Sequence, residues 1–107
     1  MRLLLDENLP KKLRKDFTGH PVFTIREKGW AGKSNGALLK LMTNEGFNAL
    51  LTFDQNLQYQ QNFKDYTITV FVLVAPDNSY LTLKPLVPKI LEIINLGISP
   101  GPVEVKL

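Results

Sequence analysis

The chain contains no cysteine and only one histidine. The first absence excludes thiolate metal sites, disulfides and cysteine nucleophiles. The second leaves His20 alone, set between Gly19 and Pro21 at the start of a β-rich stretch. It reads as a turn residue, which argues against a Ser-His-Asp relay. No apolar run approaches the roughly 20 residues that span a bilayer. Neither GxGxxG nor GxxxxGK[ST] occurs, which removes the usual dinucleotide and P-loop readings. Met1 leads straight into an apparent strand, without the basic region, apolar stretch and small-residue cleavage site of a secretory signal. A cytoplasmic location with no membrane partner is therefore expected.

What remains is ordinary globular material. The 107 residues are 44% hydrophobic and 21% charged, which suits a single domain over 1–107 and argues against disorder. Net charge is +3 and unevenly spread: nine Lys or Arg face five Asp or Glu up to Leu50, and four Lys face five acids afterwards. A basic half attracts polyanions, although so modest an excess reads equally well as a solvated helix face.

Along the chain, short apolar runs alternate with helical stripes. Arg2 to Asp6 reads as a strand. Leu9, Leu13 and Phe17 recur at helical spacing, with Pro10 suited to the first turn and Gly19 as a stop. His20 to Ile25 is a second strand. Ser34 or Asn35 caps a helix expected to bury Ala37, Leu38, Leu41 and Met42 before Gly46. Asn48 to Phe53 is a third strand, and residues 55–66 suit a short helix or ordered loop. Thr67 to Val74 is apolar throughout, as in a strand covered on both faces. Leu83, Leu86, Val87, Ile90, Leu91 and Ile94 form one helical stripe. The terminal GPVEVKL reads as an edge strand, since Pro102 cannot donate to a ladder. This order predicts an α/β fold of three layers, α/β/α, around a mostly parallel sheet of about five strands. The last strand is the one whose direction stays open.

In an open α/β sheet, ligands bind beyond the carboxyl ends of the strands. The polar residues expected there are Asp6, Glu7 and Asn8 after the first strand and Arg26, Glu27 and Lys28 after the second. Thr52, Asp54, Gln55 and Asn56 follow the third, and Asp77, Asn78 and Ser79 the fourth. Asp6 and Asp54 thus converge on one rim. Such carboxylates suit Mg²⁺ or Mn²⁺, which binds one or two acids, keeps waters and takes phosphate oxygens. A bland alternative exists for each residue: Asp6 or Asn8 capping the basic helix, Glu7 complementing its dipole, Asp54 capping a turn. Trp30 lies in the glycine-rich loop, either covering an apolar edge or stacking on a base.

LLLDENLPKKL, then GHPVFTIREKGWAGKSNGALLKLMTNEGF, then ALLTFDQNL resemble the small PIN-like domains described as predicted nucleases of toxin–antitoxin systems. The resemblance covers roughly the first 60 residues in order and spacing. It implies a PIN-like fold, a Mg²⁺ or Mn²⁺ site, and hydrolysis of RNA by metal-activated water. It also implies a cognate antitoxin protein that occludes the site; a homodimer is left open. On this resemblance Asp6 matches the first metal ligand, Glu7 and Asn8 the residues beside it, and Asp54 the acid after the third strand. A metal-dependent ribonuclease would then use Asp6 and Asp54 as metal ligands, Glu7 and Asn35 as secondary ligands or water positioners and Thr52 or Asn56 as outer donors. Lys11, Lys12, Lys28 and Lys33 would be candidate phosphate contacts. Asn35 stands where the pattern carries an acid, and Asp54-Gln55-Asn56 stands where it carries Asp-x-Asp. Each change removes a negative charge from a hard-cation site. The second reading is therefore a degenerate PIN-like module that binds RNA or protein without cleaving. A phospho-acceptor receiver domain ranks third: it needs a Lys just after a fifth strand, and Lys84-Pro85 instead follows the fourth strand at a distance and leads a helix.

Overall fold

Leu3, Leu4 and Leu5 form β1 and are buried to the last atom or nearly so. The computed structural model describes residues 1–57 and 66–107. In it β1 pairs on one side with β2 (Val22–Thr24) and on the other with β3 (Ala49–Thr52). β4 (Thr69–Leu73) follows β3, and β5 (Gly101–Val105) lies beyond it, giving the order β2-β1-β3-β4-β5. Every pairing is parallel, including that of β5, whose direction the sequence leaves open.

Side chains alternate across a strand, so a sheet covered on both faces needs apolar residues at every position. Here Leu5, Leu51, Phe71 and Leu73 enter one core, and Leu4, Leu50, Val70 and Val72 enter the other. The first core is closed by Leu13 and Phe17 and by Leu83, Leu86, Ile90 and Ile94 from late in the chain. The second is closed by α1 (Asn35–Asn44), through Leu38, Leu39 and Met42, together with Trp30 and Phe47.

Helix boundaries differ from the sequence reading in three places. Lys11–Asp16 winds as a 3₁₀ helix, not an α-helix, although Leu9, Leu13 and Phe17 are buried as their spacing requires. Pro10 precedes it in extended backbone and offers no side-chain cap, and Lys11 and Lys12 place positive charge at the helix's positive end. In α1, Ser34 is the cap, its hydroxyl accepting the Ala37 N–H at 3.3 Å. The buried face is turned so that Leu39 is inside and Ala37 exposed. Gly46 then ends the element at φ +76°, where a side chain would be strained. The late stripe breaks into α2 (Tyr80–Leu83), a 3₁₀ turn at Lys84–Leu86, and α3 (Val87–Leu96). Pro85 and Pro88 remove two backbone donors there, which interrupts a continuous ladder. The expected helix or loop after Asp54 falls largely on 58–65, outside the described residues.

One crossover is unusual. From β2 to β3 and from β4 to β5 the chain moves toward the same edge, yet α1 and α3 pack on opposite faces. The two connections therefore have opposite hands. The β1 to β2 connection runs the other way over the α3 face, so it shares its hand with β2-α1-β3. The β4-α3-β5 connection is the exception, of a kind that arises in only about 2% of such units if the other two take the usual right hand. Its consequence is that Tyr80 and Lys84 arrive on the same face as the basic 3₁₀ helix. Among the described residues no helix is long and apolar enough to cross a membrane.

Candidate functional site

β1 and β3 are neighbours in the sheet, but their exits lead in opposite directions, β1 toward β2 and β3 toward β4. That reversal opens a crevice beyond their carboxyl ends, the usual ligand position in such sheets. Leu5 is in register with Leu51, and the Asp6 N–H donates to the Leu51 carbonyl at 2.9 Å. Asp6 and Thr52 therefore leave the sheet side by side.

Thr52 is fully buried and all of its hydroxyl's capacity is used. It donates to Asp6 Oδ2 at 2.7 Å and accepts the Asp54 N–H at 3.0 Å. Asn8 Nδ2 donates to the Thr52 hydroxyl oxygen at 3.4 Å, and Asn8 Oδ1 accepts the Phe53 N–H at 3.0 Å. Asn78 Nδ2 donates to the Asn8 carbonyl at 2.9 Å, bringing in the loop after β4. Asp6 Oδ1 accepts the Glu7 N–H, and Asp54 Oδ1 accepts the Asn56 N–H. The capping explanation for Asp6 and Asn8 fails, since the following 3₁₀ helix takes no side-chain cap and both side chains turn to Thr52 and Phe53 instead.

Burial pushes the Asp6 carboxyl above its ordinary pKa of 3.8. The Thr52 hydroxyl and the Glu7 N–H pull the other way, while the charges of Asp54 and Glu7 add to the rise. A cation placed between Asp6 and Asp54 would reverse those last contributions. The consequence for stability has a definite sign. The folded chain holds the Asp6 proton to higher pH than the unfolded chain, so stability present below pH 3.8 is lost as pH rises through the elevated value. Without divalent cations, Asp6→Asn is therefore expected to gain thermal stability relative to wild type across that window. Melting curves of both proteins from acidic to neutral pH check this; a constant difference at every pH contradicts it.

Asp6 and Glu7 also line a cleft of about 340 Å³ between the β1 and β2 ends, with Lys11, Arg26 and Glu27. Glu27 is no spare base. The Thr24 hydroxyl and N–H hold its carboxyl below the ordinary range, and Arg14 pairs with it.

Of the residues singled out in the sequence, Asp6, Asn8, Thr52 and Asp54 join one network, with Glu7 and Asn56 attached through their backbone N–H groups. Lys11 lines the Asp6 cleft. Asn35 is half-buried in the first turn of α1, and Lys33 is exposed in the loop before it. Lys28 is engaged elsewhere: its ammonium lies 3.3 Å from Glu45 and faces Phe23, Trp30 and Phe47. Trp30 is buried in the core against Phe47, at 5.7 Å between ring centroids, and covers an apolar edge. Asn78 is expected at the rim after the fourth strand, but nothing local in the sequence ties it to Asn8.

Among the described residues, no three His, Cys, Asp or Glu side chains gather in a metal-binding group. A pair of carboxylates still matches the habit of Mg²⁺, which completes its shell with water and substrate phosphate. Comparison of the chain with protein-family models, curated proteins and solved structures finds no match.

Proposed function

We propose that the protein is a metal-dependent ribonuclease of the PIN-like kind, hydrolysing RNA phosphodiesters with Mg²⁺ or Mn²⁺. The observation that carries this reading is the meeting of the Asp6 carboxylate and the Asp54 backbone N–H on the buried Thr52 hydroxyl, at the point where strand order reverses. Asp6 and Asp54 would hold the cation. When bound, it supplies an activated water and neutralises charge on the leaving oxygen. Thr52 and Asn8 fix the direction of the Asp6 carboxylate and of the β3 exit. Lys11, on the wall of the Asp6 cleft, is placed to meet a phosphate. The sequence resemblance extends the proposal to a toxin held inactive by a cognate antitoxin, and Glu7 and Asn35 would act as secondary ligands or water positioners.

The alternative is a module that binds RNA or protein and has lost its chemistry. It draws on Asn35 and Asn56 standing where acids are expected, and on the lack of a third acid beside Asp6 and Asp54 among the described residues. Incubation of purified protein with labelled single-stranded RNA, with Mn²⁺ or with chelator, separates the two. Cleavage that needs Mn²⁺ and vanishes in the Asp6→Asn, Asp54→Asn double variant supports the ribonuclease. Intact RNA under every condition supports the module.

A further inference from the structure

Three lysines from two distant parts of the chain surround one aromatic ring. The Nζ atoms of Lys12, Lys15 and Lys84 lie 4.8, 5.5 and 5.6 Å from the centroid of Tyr80. The phenol donates to Asp16 Oδ2 at 2.7 Å, which fixes the ring on the basic 3₁₀ helix. Ring quadrupoles attract ammonium groups, but here three of them share one ring and one neighbouring carboxylate. Among the described residues none of the three forms an ion pair, whereas Arg14 and Lys28 each do. Within the described residues the three ammonium charges therefore outnumber the one carboxylate beside the ring, that of Asp16.

The cluster is also continuous with the candidate site. Lys11, Lys12, Arg14 and Lys15 line a shallow groove of about 480 Å³, and Lys11 is at the same time a wall of the Asp6 cleft. The uncommon hand of the β4-α3-β5 crossover brings Tyr80 and Lys84 to this face. Among the described residues no apolar side chain lines the groove. A protein partner normally needs a buried apolar or aromatic anchor, while a phosphate backbone needs only a row of cations.

We propose that Lys12, Lys15 and Lys84, assembled around Tyr80, form a binding track for the sugar-phosphate backbone of single-stranded RNA. The track leads through Lys11 into the Asp6 cleft. The choice of RNA rests on the ribonuclease reading; the anionic character of the ligand rests on the cluster alone.

The test is fluorescence anisotropy of a labelled, mixed-sequence single-stranded RNA, titrated with protein in chelator over a series of salt concentrations. The triple variant Lys12→Ala, Lys15→Ala, Lys84→Ala is expected to bind at least about tenfold more weakly at low salt. Its slope of log K against log salt should flatten by about 2, since each lost single-strand phosphate contact contributes about 0.7. Lys40→Ala and Lys89→Ala, both exposed and outside the cluster, should bind as wild type does. All these side chains are exposed, so melting temperatures should stay within a few degrees and exclude misfolding. An unchanged slope in the triple variant, no RNA binding by wild type, or tighter binding of poly-glutamate than of RNA overturns the track. Because binding is read in chelator, the two readings fail separately. A chain that cleaves RNA but binds it undiminished in the triple variant loses only the track. A chain whose binding falls as expected but which never cleaves loses only the ribonuclease.

Discussion

Asp6→Asn is expected to lower Mn²⁺-dependent RNA cleavage by more than about 100-fold, since altering even an outer partner of a metal ligand typically costs 10- to 100-fold. The substitution is nearly isosteric, and an amide oxygen can still accept from Thr52 or from the Glu7 N–H, the two donors to Asp6. What it removes is one negative charge from the proposed site of a hard cation. The same variant should be more stable than wild type at neutral pH in chelator, because burial and the neighbouring charges of Asp54 and Glu7 oppose ionisation of Asp6. Mn²⁺ should raise the melting temperature of wild type and leave that of the variant unmoved. Loss of activity together with a gain in stability is the signature of a functional carboxylate held against its own preference. Loss of both activity and stability would mark Asp6 as a structural residue.

Thr52→Val should have the opposite effect on stability. Valine fills the same volume, but three partners lose the hydroxyl: the Asp6 carboxylate, the Asp54 N–H and the Asn8 amide. Leaving a buried polar group unpaired costs about 1–3 kcal/mol. For a domain of about 100 residues each kcal/mol lowers the melting temperature by about 4–8 °C. The Asp6 pKa should climb further, since the Thr52 hydroxyl is the stronger of the two hydrogen bonds that hold it down. The acid limb of the cleavage pH profile should then move to higher pH. Thr52→Ser keeps the hydroxyl and should restore both the profile and most of the stability. If the Val and Ser variants melt alike and share one pH profile, the hydroxyl does not organise the site.

The acids of this site can be read from the sequence, and their connection cannot. Asp6 and Asp54 each end a continuous apolar run, and in a parallel sheet such runs exit at the same rim. The Asn8 to Thr52 contact spans 44 residues and depends on Leu5 standing opposite Leu51, a register that hydropathy does not encode. The Asn78 to Asn8 bond spans 70 residues and is equally invisible. Lys28 looks like any other rim cation in the sequence, and only packing places it against Glu45 and three aromatic rings. The lysine cluster is the furthest from legibility. Tyr80 meets Asp16 across 64 residues, and does so because one crossover lies on the face that its usual hand would not choose. The helix types depart from the hydropathy pattern for local reasons: an uncapped start at Lys11, and prolines at 85 and 88.

The central claim is that Asp6 and Asp54 share one divalent cation at the reversal between β1 and β3. An anomalous difference map from crystals of the protein soaked in Mn²⁺ tests it most directly. The account predicts a peak within coordination distance of carboxylate oxygens from both residues, absent in crystals of Asp6→Asn. A map with no peak there, or with Mn²⁺ bound only elsewhere, would contradict it.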